Sequence, residues 1–292
     1  MEINAVSYEK MFTRNIGFVT ESEQQIIRNT PVFICGVGGM GGSCLMNLVR
    51  AGFENLGVAD IDTFEISNLN RQLFANMNTI GIDKADSAVK QISQLNPSAK
   101  VQNYGHDWLT KLDEIFTKYK IVVNGTDDLK AGLFLYRKAK EHGATVIDAF
   151  TSPLPSVYVV SPEAPRPEEY FGYPTCGIEI KNVTPDMENE CKMREATYVM
   201  ACSSSRKHID MDVAMQVVEG KRSRMSFAPM VIMTGCLMAY QVVAVALKRS
   251  YVTDHKGYFV QAWSGKLERA SWEPLHQLKI FFVRMILNRM MK

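Results

Sequence analysis

The 292-residue sequence lacks several features that would point to particular protein classes. Its six cysteines form no Cys-x-x-Cys pair, which favours a reducing compartment and thiols that serve mainly in packing. The net charge is only +2, so there is no bulk electrostatic argument for nucleic-acid binding. The first twenty residues show no signal-peptide pattern, and repeats and low-complexity linkers are missing. These absences predict a cytoplasmic globular protein that does not use nucleic acid as a partner.

One long stretch, residues 226–247, contains no Asp, Glu, Lys or Arg. By length alone it could span a bilayer. Pro229, Gly235 and Gln241 interrupt it, and the rest of the chain has ordinary polarity. We therefore interpret the stretch as a buried core or dimer helix and predict no transmembrane segment.

A glycine-rich turn is the most informative part of the sequence. It separates an apolar run at 31–35, typical of a buried parallel strand, from a helical segment at 44–51, and a second strand ends at Asp60. Its candidate phosphate-contacting glycines are Gly36, Gly38, Gly39 and Gly41. Glycines let the backbone approach a phosphate, the helix start offers free N–H groups, and Asp60 can take ribose hydroxyls. The layout predicts a nucleotide ligand, but an NAD-dependent dehydrogenase would use the same turn and acid.

A polar loop follows the second strand. Its candidate binding residues are Asp62, Ser67, Asn68, Asn70, Arg71 and Gln72. Ligands of open parallel sheets bind at the strand ends, so this loop is predicted to hold an anion with several oxygens. The alternative is a turn stabilised by its asparagine side chains.

Further charged residues fit the same picture. Lys84 begins a predicted helix at 84–95. The helix dipole disfavours a cation at the N-terminus, and the negative charge of a bound phosphate would offset this effect. Asp127 and Asp128 follow a strand at 121–124 and are both candidates for the nucleotide site, where Asp127 could hold Mg²⁺ beside phosphates. The alternative is capping of the next helix, and neighbouring aspartates can divide the two roles. Arg14 precedes a capping box and, taken alone, reads as a solvated arginine.

The regular β/α rhythm stops after Pro162. Residues 163–225 are predicted to form a loop-rich insertion with one or two helices, followed by the apolar helix and a late hairpin at 258–268. The tail, 275–292, is an amphipathic helix. Packing onto the parent domain is favoured for it over binding a partner or a membrane surface.

Together these motifs resemble the ThiF/MoeB/HesA-type adenylyltransferases, the family that includes the ubiquitin-activating enzymes. The resemblance covers roughly residues 10–160 and, weakly, 226–270. It implies an α/β, Rossmann-like fold, with a mostly parallel twisted sheet and helices on both faces. The expected single adenylation domain comprises an arm and helix (1–30), a nucleotide-binding core (31–162), the insertion (163–225) and a C-terminal region of helix, hairpin and tail helix (226–292).

The resemblance also implies a reaction. A carboxylate would attack the α-phosphate of ATP, with Mg²⁺ present, to give an acyl-adenylate and pyrophosphate. Carried over by motif, the catalytic residues are Arg71, Lys84 and Asp127, with Asp127 as the metal ligand and Arg14 reaching across a homodimer. The substrate would be the C-terminus of a small ubiquitin-like or sulfur-carrier protein, a peptide or a small acid. The alternatives are a non-catalytic scaffold subunit of the same fold or an NAD-dependent oxidoreductase.

Two departures from the family pattern matter. Many relatives bind a structural zinc through two Cys-x-x-Cys pairs, and their absence predicts no zinc of that type. Some relatives pass the acyl group to a cysteine, and Cys176, Cys191 and Cys202 lie in the corresponding region. Cys191, flanked by Lys192 and a nearby arginine, has the sequence context that most favours a thiolate.

Overall fold

The computed structural model describes residues 7–218 and 221–290. The strands are β1 (Pro31–Cys35), β2 (Asn55–Ala59), β3 (Lys100–Asn103), β4 (Ile121–Asn124), β5 (Thr145–Asp148), β6 (Ser156–Val160), β7 (Tyr258–Gln261) and β8 (Lys266–Glu268). The helices are α1 (Tyr8–Met11), α2 (Glu21–Asn29), α3 (Gly39–Ala51), α4 (Lys84–Leu95), α5 (Leu112–Lys118), α6 (Leu129–Glu141), α7 (Pro167–Tyr170), α8 (Pro185–Cys202), α9 (Met211–Val218), α10 (Ala228–Ala246) and α11 (Glu273–Met290).

The eight strands form one sheet in the order β3-β2-β1-β4-β5-β6-β7-β8. Strands β1 to β5 pair in parallel, and β6, β7 and β8 extend the sheet in antiparallel fashion. Because these strands are parallel, the loops after β1, β2 and β4 lie at one edge of the sheet. The strand order reverses between β1 and β4, and ligands of such sheets bind at that point. This confirms the predicted Rossmann-like α/β fold.

The alternation of β1 shows why helices cover both faces of the sheet. Val32 and Ile34 pack into a core with α3, α4 and α10, whereas Phe33 and Cys35 pack into a second core with α5, α6 and α8. All four side chains are fully buried. A strand buried on both faces reads as a continuous apolar run, and that is the pattern at 31–35.

The insertion is more helical than its composition indicates. It contains the 18-residue helix α8, which begins with the Thr184 cap and Pro185, besides the shorter α7 and α9. Apolar side chains are spread around α8 rather than along one stripe, so no clear helical period marks it in the sequence.

The charge-free stretch forms α10, the one helix in the described part of the chain that is long and apolar enough to cross a membrane. It packs along α3, where an added Cβ at Gly235 would overlap the Ser43 side chain, and 44% of its apolar stretch is buried inside the protein. These contacts fit a core helix, which passes the same test of length and apolarity.

Candidate active site

The glycine turn that follows β1 needs its glycines for packing. Gly36 has a φ of +78°, and a Cβ there would lie 2.5 Å from the carbonyl carbon of Gly125. At Gly41 a Cβ would overlap the carbonyl oxygen of Gly36. The first turn of α3 is therefore pressed against the ends of β1 and β4. Gly38 is the N-cap residue and has no side chain that could cap this turn. The N–H groups of the turn therefore stay available to an anion.

Asp60, at the end of β2, holds the turn in place. Its Oδ2 accepts a 2.7 Å hydrogen bond from the N–H of Val37, and its Oδ1 accepts one of 3.0 Å from the N–H of Asp62. Asp60 is buried, and burial raises the pKa of its carboxyl above the usual range. Each carboxylate oxygen retains a second lone pair, so a ribose contact remains compatible with this role.

Lys84 is the first residue of α4 and points back to the loop after β2. Its Nζ lies 2.8 Å from Asp62 Oδ2, and its N–H donates to the Asp62 carbonyl oxygen. The Lys84 side chain is 9% exposed, whereas that of Asp62 is 62% exposed. Asp62 thus supplies a negative charge that favours both the start of α4 and the Lys84 ammonium.

Two side chains of the polar loop are buried beneath the turn. Asn68 accepts a 3.0 Å hydrogen bond from the N–H of Glu65, which is the structural role that asparagine often takes in turns. The Gln72 amide lies under Gly38, where an added Cβ would be 3.5 Å from its Nε2. Gln72 Oε1 is buried and has no hydrogen-bond partner among the described residues. An unpaired amide facing the turn fits a polar ligand there.

Hydrogen bonds within its own loop orient the Arg71 side chain. Its Nη1 donates to the Ser67 carbonyl oxygen and to Asn70 Oδ1, both at 2.9 Å. Asn70 Nδ2 in turn donates a 3.0 Å hydrogen bond to the carbonyl oxygen of Ser226, just before α10. Asn70 therefore links the arginine to a segment that lies 156 positions away in the sequence.

The charges around Arg71 identify its neighbours. Burial lowers the pKa of its guanidinium, the Asp127 carboxylate raises it, and the Arg224 guanidinium lowers it. Asp127 is exposed at the end of β4, and among the described residues no side chain pairs with it. Asp128 has a different role, because its Oδ1 accepts from the N–H of Ala131 and caps α6. Asp128 thus takes the capping role that the sequence offered as the alternative, and the Mg²⁺ role of Asp127 stays a prediction.

Arg14 does not join this cluster within one protomer. It lies exposed on a short 3₁₀ turn, Thr13–Asn15, and Asn15 Nδ2 donates to the carbonyl oxygen of Ala51 at the C-terminal end of α3. The glycine turn is at the opposite end of that helix, about 20 Å away for its 13 residues.

The prediction that Cys191 favours a thiolate is wrong. Cys191 is fully buried beside Leu133 and Tyr173, and burial raises the pKa of its thiol. The nearby Arg194 forms an ion pair with Glu190. Flanking charges on a helix point in other directions and leave the thiol in an apolar setting.

The other two cysteines of the insertion differ from each other. Cys202 is buried, and burial raises the pKa of its thiol to about 12. Cys176 is exposed, so it is the accessible thiol of the three.

Sequence reasoning did not identify two residues that lie near this edge, because no local pattern marks them. Arg224 comes from the insertion, and Glu195 from α8; Glu195 Oε1 accepts a 2.7 Å hydrogen bond from the N–H of Thr151, just beyond β5. Burial raises the pKa of Glu195, while Arg224 lowers it, so the two side chains are neighbours. Only the tertiary fold brings these distant segments together.

The sequence could have indicated Asp148 as a candidate residue, because it is an acid at the end of a parallel strand, as Asp60 is. It is buried, and its Oδ2 accepts from Asn124 Nδ2 at 2.8 Å and from the hydroxyls of Tyr136 and Tyr158 at 2.7 and 3.0 Å. Burial raises the pKa of Asp148 to about 6. Its role is to join β4, β5, β6 and α6 below the site.

The donor set indicates what kind of metal would fit. Across residues 7–218 and 221–290, no three His, Cys, Asp or Glu side chains are grouped so that they could hold a metal ion themselves. A lone exposed carboxylate such as Asp127 is suited to Mg²⁺, which usually binds one or two carboxylates together with substrate phosphates and water.

Comparison with known proteins agrees with this geometry. The ThiF family profile matches residues 12–278. The adenylyltransferase and sulfurtransferase UBA4 of Lodderomyces elongisporus is 36% identical over 112 residues, which are 38% of this chain and 24% of UBA4. The MOCS3 adenylyltransferase and sulfurtransferase of Dictyostelium discoideum is 39% identical over 121 residues, 41% of this chain and 28% of MOCS3. The chain thus spans about a quarter of the length of the curated relatives it matches.

Among solved structures, PaaA superposes with a TM-score of 0.61 at 18% identity, covering 91% of this chain and 84% of PaaA. Escherichia coli MccB, solved with ATP, superposes with a TM-score of 0.60 at 16% identity, covering 85% of this chain and 65% of MccB. At these identities the likeness establishes the fold. With the family profile spanning nearly all of the sequence, the chain belongs to the ThiF family.

Proposed function

We propose that this protein is an ATP-dependent adenylyltransferase that activates a carboxylate. The observation that supports the proposal is that Arg71 lies near both Gly39 and Asp127 at the edge of the sheet where Lys84 begins α4 beside Asp62. Two cations and free backbone N–H groups suit a polyphosphate, and an exposed acid beside them suits its Mg²⁺. Curated relatives named as adenylyltransferases, and the MccB structure with ATP, support the same reaction class.

The proposed reaction needs positioning and charge neutralisation rather than a covalent protein group. A substrate carboxylate oxygen attacks the α-phosphorus, the bond to the β-phosphate oxygen breaks, and pyrophosphate leaves. Arg71 and Lys84 would stabilise the negative charge on the phosphates, and Asp127 would hold Mg²⁺ against them. Preorganised charges of this kind supply most of the stabilisation in such transfers.

The proposed substrate is the C-terminal carboxylate of a polypeptide, either a peptide or a small ubiquitin-like or sulfur-carrier protein. The support is comparative: one MccB structure is a complex with the N-formylated MccA, and other relatives include a SUMO-activating enzyme subunit. Arg224 is exposed beside Arg71, and its positive charge would attract the carboxylate end of such a polypeptide.

Pyrophosphate exchange into ATP tests the assignment. The full-length protein would be assayed with candidate C-terminal peptides and small acids, with Arg71→Ala and Lys84→Ala expected to lose about 100-fold or more. Arg50→Ala, which removes an exposed cation from the far end of α3, is the matched control and should keep full exchange. Exchange at the wild-type rate in both site variants would remove the proposal.

Calorimetry separates the two other function classes. The proposal expects ATP to bind more tightly with Mg²⁺ than without it, and Asp127→Asn to abolish that difference. A non-catalytic scaffold would bind ATP weakly in both conditions, and an oxidoreductase would prefer NADH.

The proposal includes a homodimer in which Arg14 enters the partner's site. Arg14 shares its arm with Phe18, which is 92% exposed, and large exposed apolar side chains are typical of interfaces. Mixing the inactive Arg14→Ala and Arg71→Ala variants would then restore about a quarter of the wild-type rate, because half of the mixed dimers' sites receive intact residues. Absence of recovery would place Arg14 outside the reaction.

A further inference from the structure

The tail helix α11 is apolar on two opposite faces. One face carries His276 and Leu287, which are 4% and 9% exposed, and it packs against α8. At 100° per residue, Leu278, Phe281 and Met285 lie on the opposite face. They are 52%, 62% and 36% exposed. A helix that is apolar on both sides is normally covered on both sides.

The exposed side forms a continuous apolar surface. We call it the tail face and define it by Trp272, Leu278, Phe281, Phe282 and Met285, which are all at least 36% exposed. Phe281 and Phe282 stack edge to face with ring centroids 5.7 Å apart. Trp272 immediately precedes the helix and is 72% exposed.

Charge distinguishes among the possible occupants of the tail face. From Pro274 to the end of the sequence there is no Asp or Glu, whereas basic residues recur: Lys279, Arg284, Arg289 and Lys292. Lys279 and Arg284 flank the tail face at its sides, and Arg284 reaches Glu190 at 2.7 Å. A second copy of the protein would bring two helices of net positive sequence charge together, which like charges disfavour.

We propose that the tail face binds peripherally to a bilayer surface that contains anionic lipids. Exposed aromatic and aliphatic side chains on one face of a helix, with basic residues recurring and acids missing from Pro274 onward, are the features of helices that lie in the membrane interface. Lys279 is the basic side chain of this surface that forms no ion pair among the described residues, since Arg284 pairs with Glu190. Tryptophan suits the headgroup level, where its ring is partly apolar and partly hydrated. A lipid surface needs no shape complementarity, which suits a convex helix face without a groove. The candidate active site, at the loops after β1, β2 and β4, includes none of these residues.

Vesicle sedimentation of the full-length protein tests the inference. The probe is a phosphatidylglycerol–phosphatidylcholine vesicle, with pure phosphatidylcholine as the uncharged comparison. Binding to the anionic vesicles is expected, and the double variant Phe281→Ser, Phe282→Ser should reduce partitioning by about tenfold or more. Both phenylalanines are exposed, so thermal unfolding of this variant should be unchanged.

Tyr251→Ser is the matched control, because it removes an exposed aromatic side chain from the loop after α10 and should leave vesicle binding intact. The inference would be overturned if the wild-type protein ignored anionic vesicles, or if Tyr251→Ser lost binding equally. It would also be overturned if the double variant dissociated a dimer that itself binds no vesicles, since a second copy would then cover the tail face.

Discussion

The contact between Lys84 and Asp62 leads to the sharpest prediction about nucleotide binding. The Lys84 ammonium lies 2.8 Å from the Asp62 carboxylate at the start of α4. If the lysine turns to the phosphates when ATP binds, it exchanges one anion for another. Removing the lysine and removing its aspartate should therefore have opposite effects on ATP affinity.

The magnitudes follow from exposure. Lys84→Ala removes a charge-assisted hydrogen bond to phosphate, worth about 1.5–3 kcal/mol, which is roughly a 10- to 150-fold loss of ATP affinity. The stability cost should stay below about 1 kcal/mol, because the Asp62 side chain left behind is 62% exposed and remains hydrated. Asp62→Asn removes the competing carboxylate, so ATP affinity should be retained or rise by up to about fivefold.

Titration calorimetry with ATP and with AMP, at one fixed ionic strength, measures these effects. AMP affinity should change less than ATP affinity in Lys84→Ala. Lys111→Ala is the control, since it breaks a comparable 2.9 Å ion pair with Asp107. The reasoning fails if Asp62→Asn weakens ATP binding as much as Lys84→Ala does, because Asp62 would then contact the nucleotide directly. It also fails if Lys84→Ala binds ATP within about twofold of the wild type.

Three further predictions concern packing, protonation and thiol access. Gly41→Ala should destabilise the protein by about 1–3 kcal/mol in urea unfolding because its methyl group meets backbone, whereas Gly132→Ala in α6 has ordinary contacts and should be tolerated. Burial raises the pKa of Asp148 from 3.8 to about 6, so this group's contribution to stability is full below pH 4 and is lost as pH rises through 6. Between about pH 4.5 and 7.5 the loss should be roughly 2 kcal/mol, and urea midpoints at these two pH values should show it in the wild type but not in Asp148→Asn, which cannot ionise. A thiol reagent should modify Cys176 within the folded protein much faster than the buried Cys191, and equal rates would contradict their placement.

Local sequence patterns predicted the parallel half of the sheet and the edge at which the candidate active site lies. The run 31–35 is apolar throughout because both faces of β1 are buried, and Asp60 follows β2 because a strand end must tie down the glycine turn. These features depend on neighbours a few positions away, which is the range that patterns cover.

Features that depend on the tertiary fold were not predictable in the same way. The polar loop allowed two interpretations, and Asn68 proves to stabilise the turn while the Gln72 amide keeps an unpaired oxygen among the residues described. Arg224 and Glu195 come from separate parts of the insertion, and no local pattern ties them to Arg71. The prediction for Cys191 was wrong because flanking charges do not show which way a helical side chain points.

The amide of Asn70 joins the loop that carries Arg71 to the segment just before α10. Its oxygen receives Arg71, and its nitrogen holds Ser226 at 3.0 Å. A hydrogen bond of that length is lost once its atoms separate beyond about 3.5 Å. A displacement of Ser226 by more than about half an ångström would therefore release the Asn70 side chain. Movement of the segment before α10 would thus reach one of the two acceptors that orient Arg71, while the other, the Ser67 carbonyl oxygen, belongs to the loop itself.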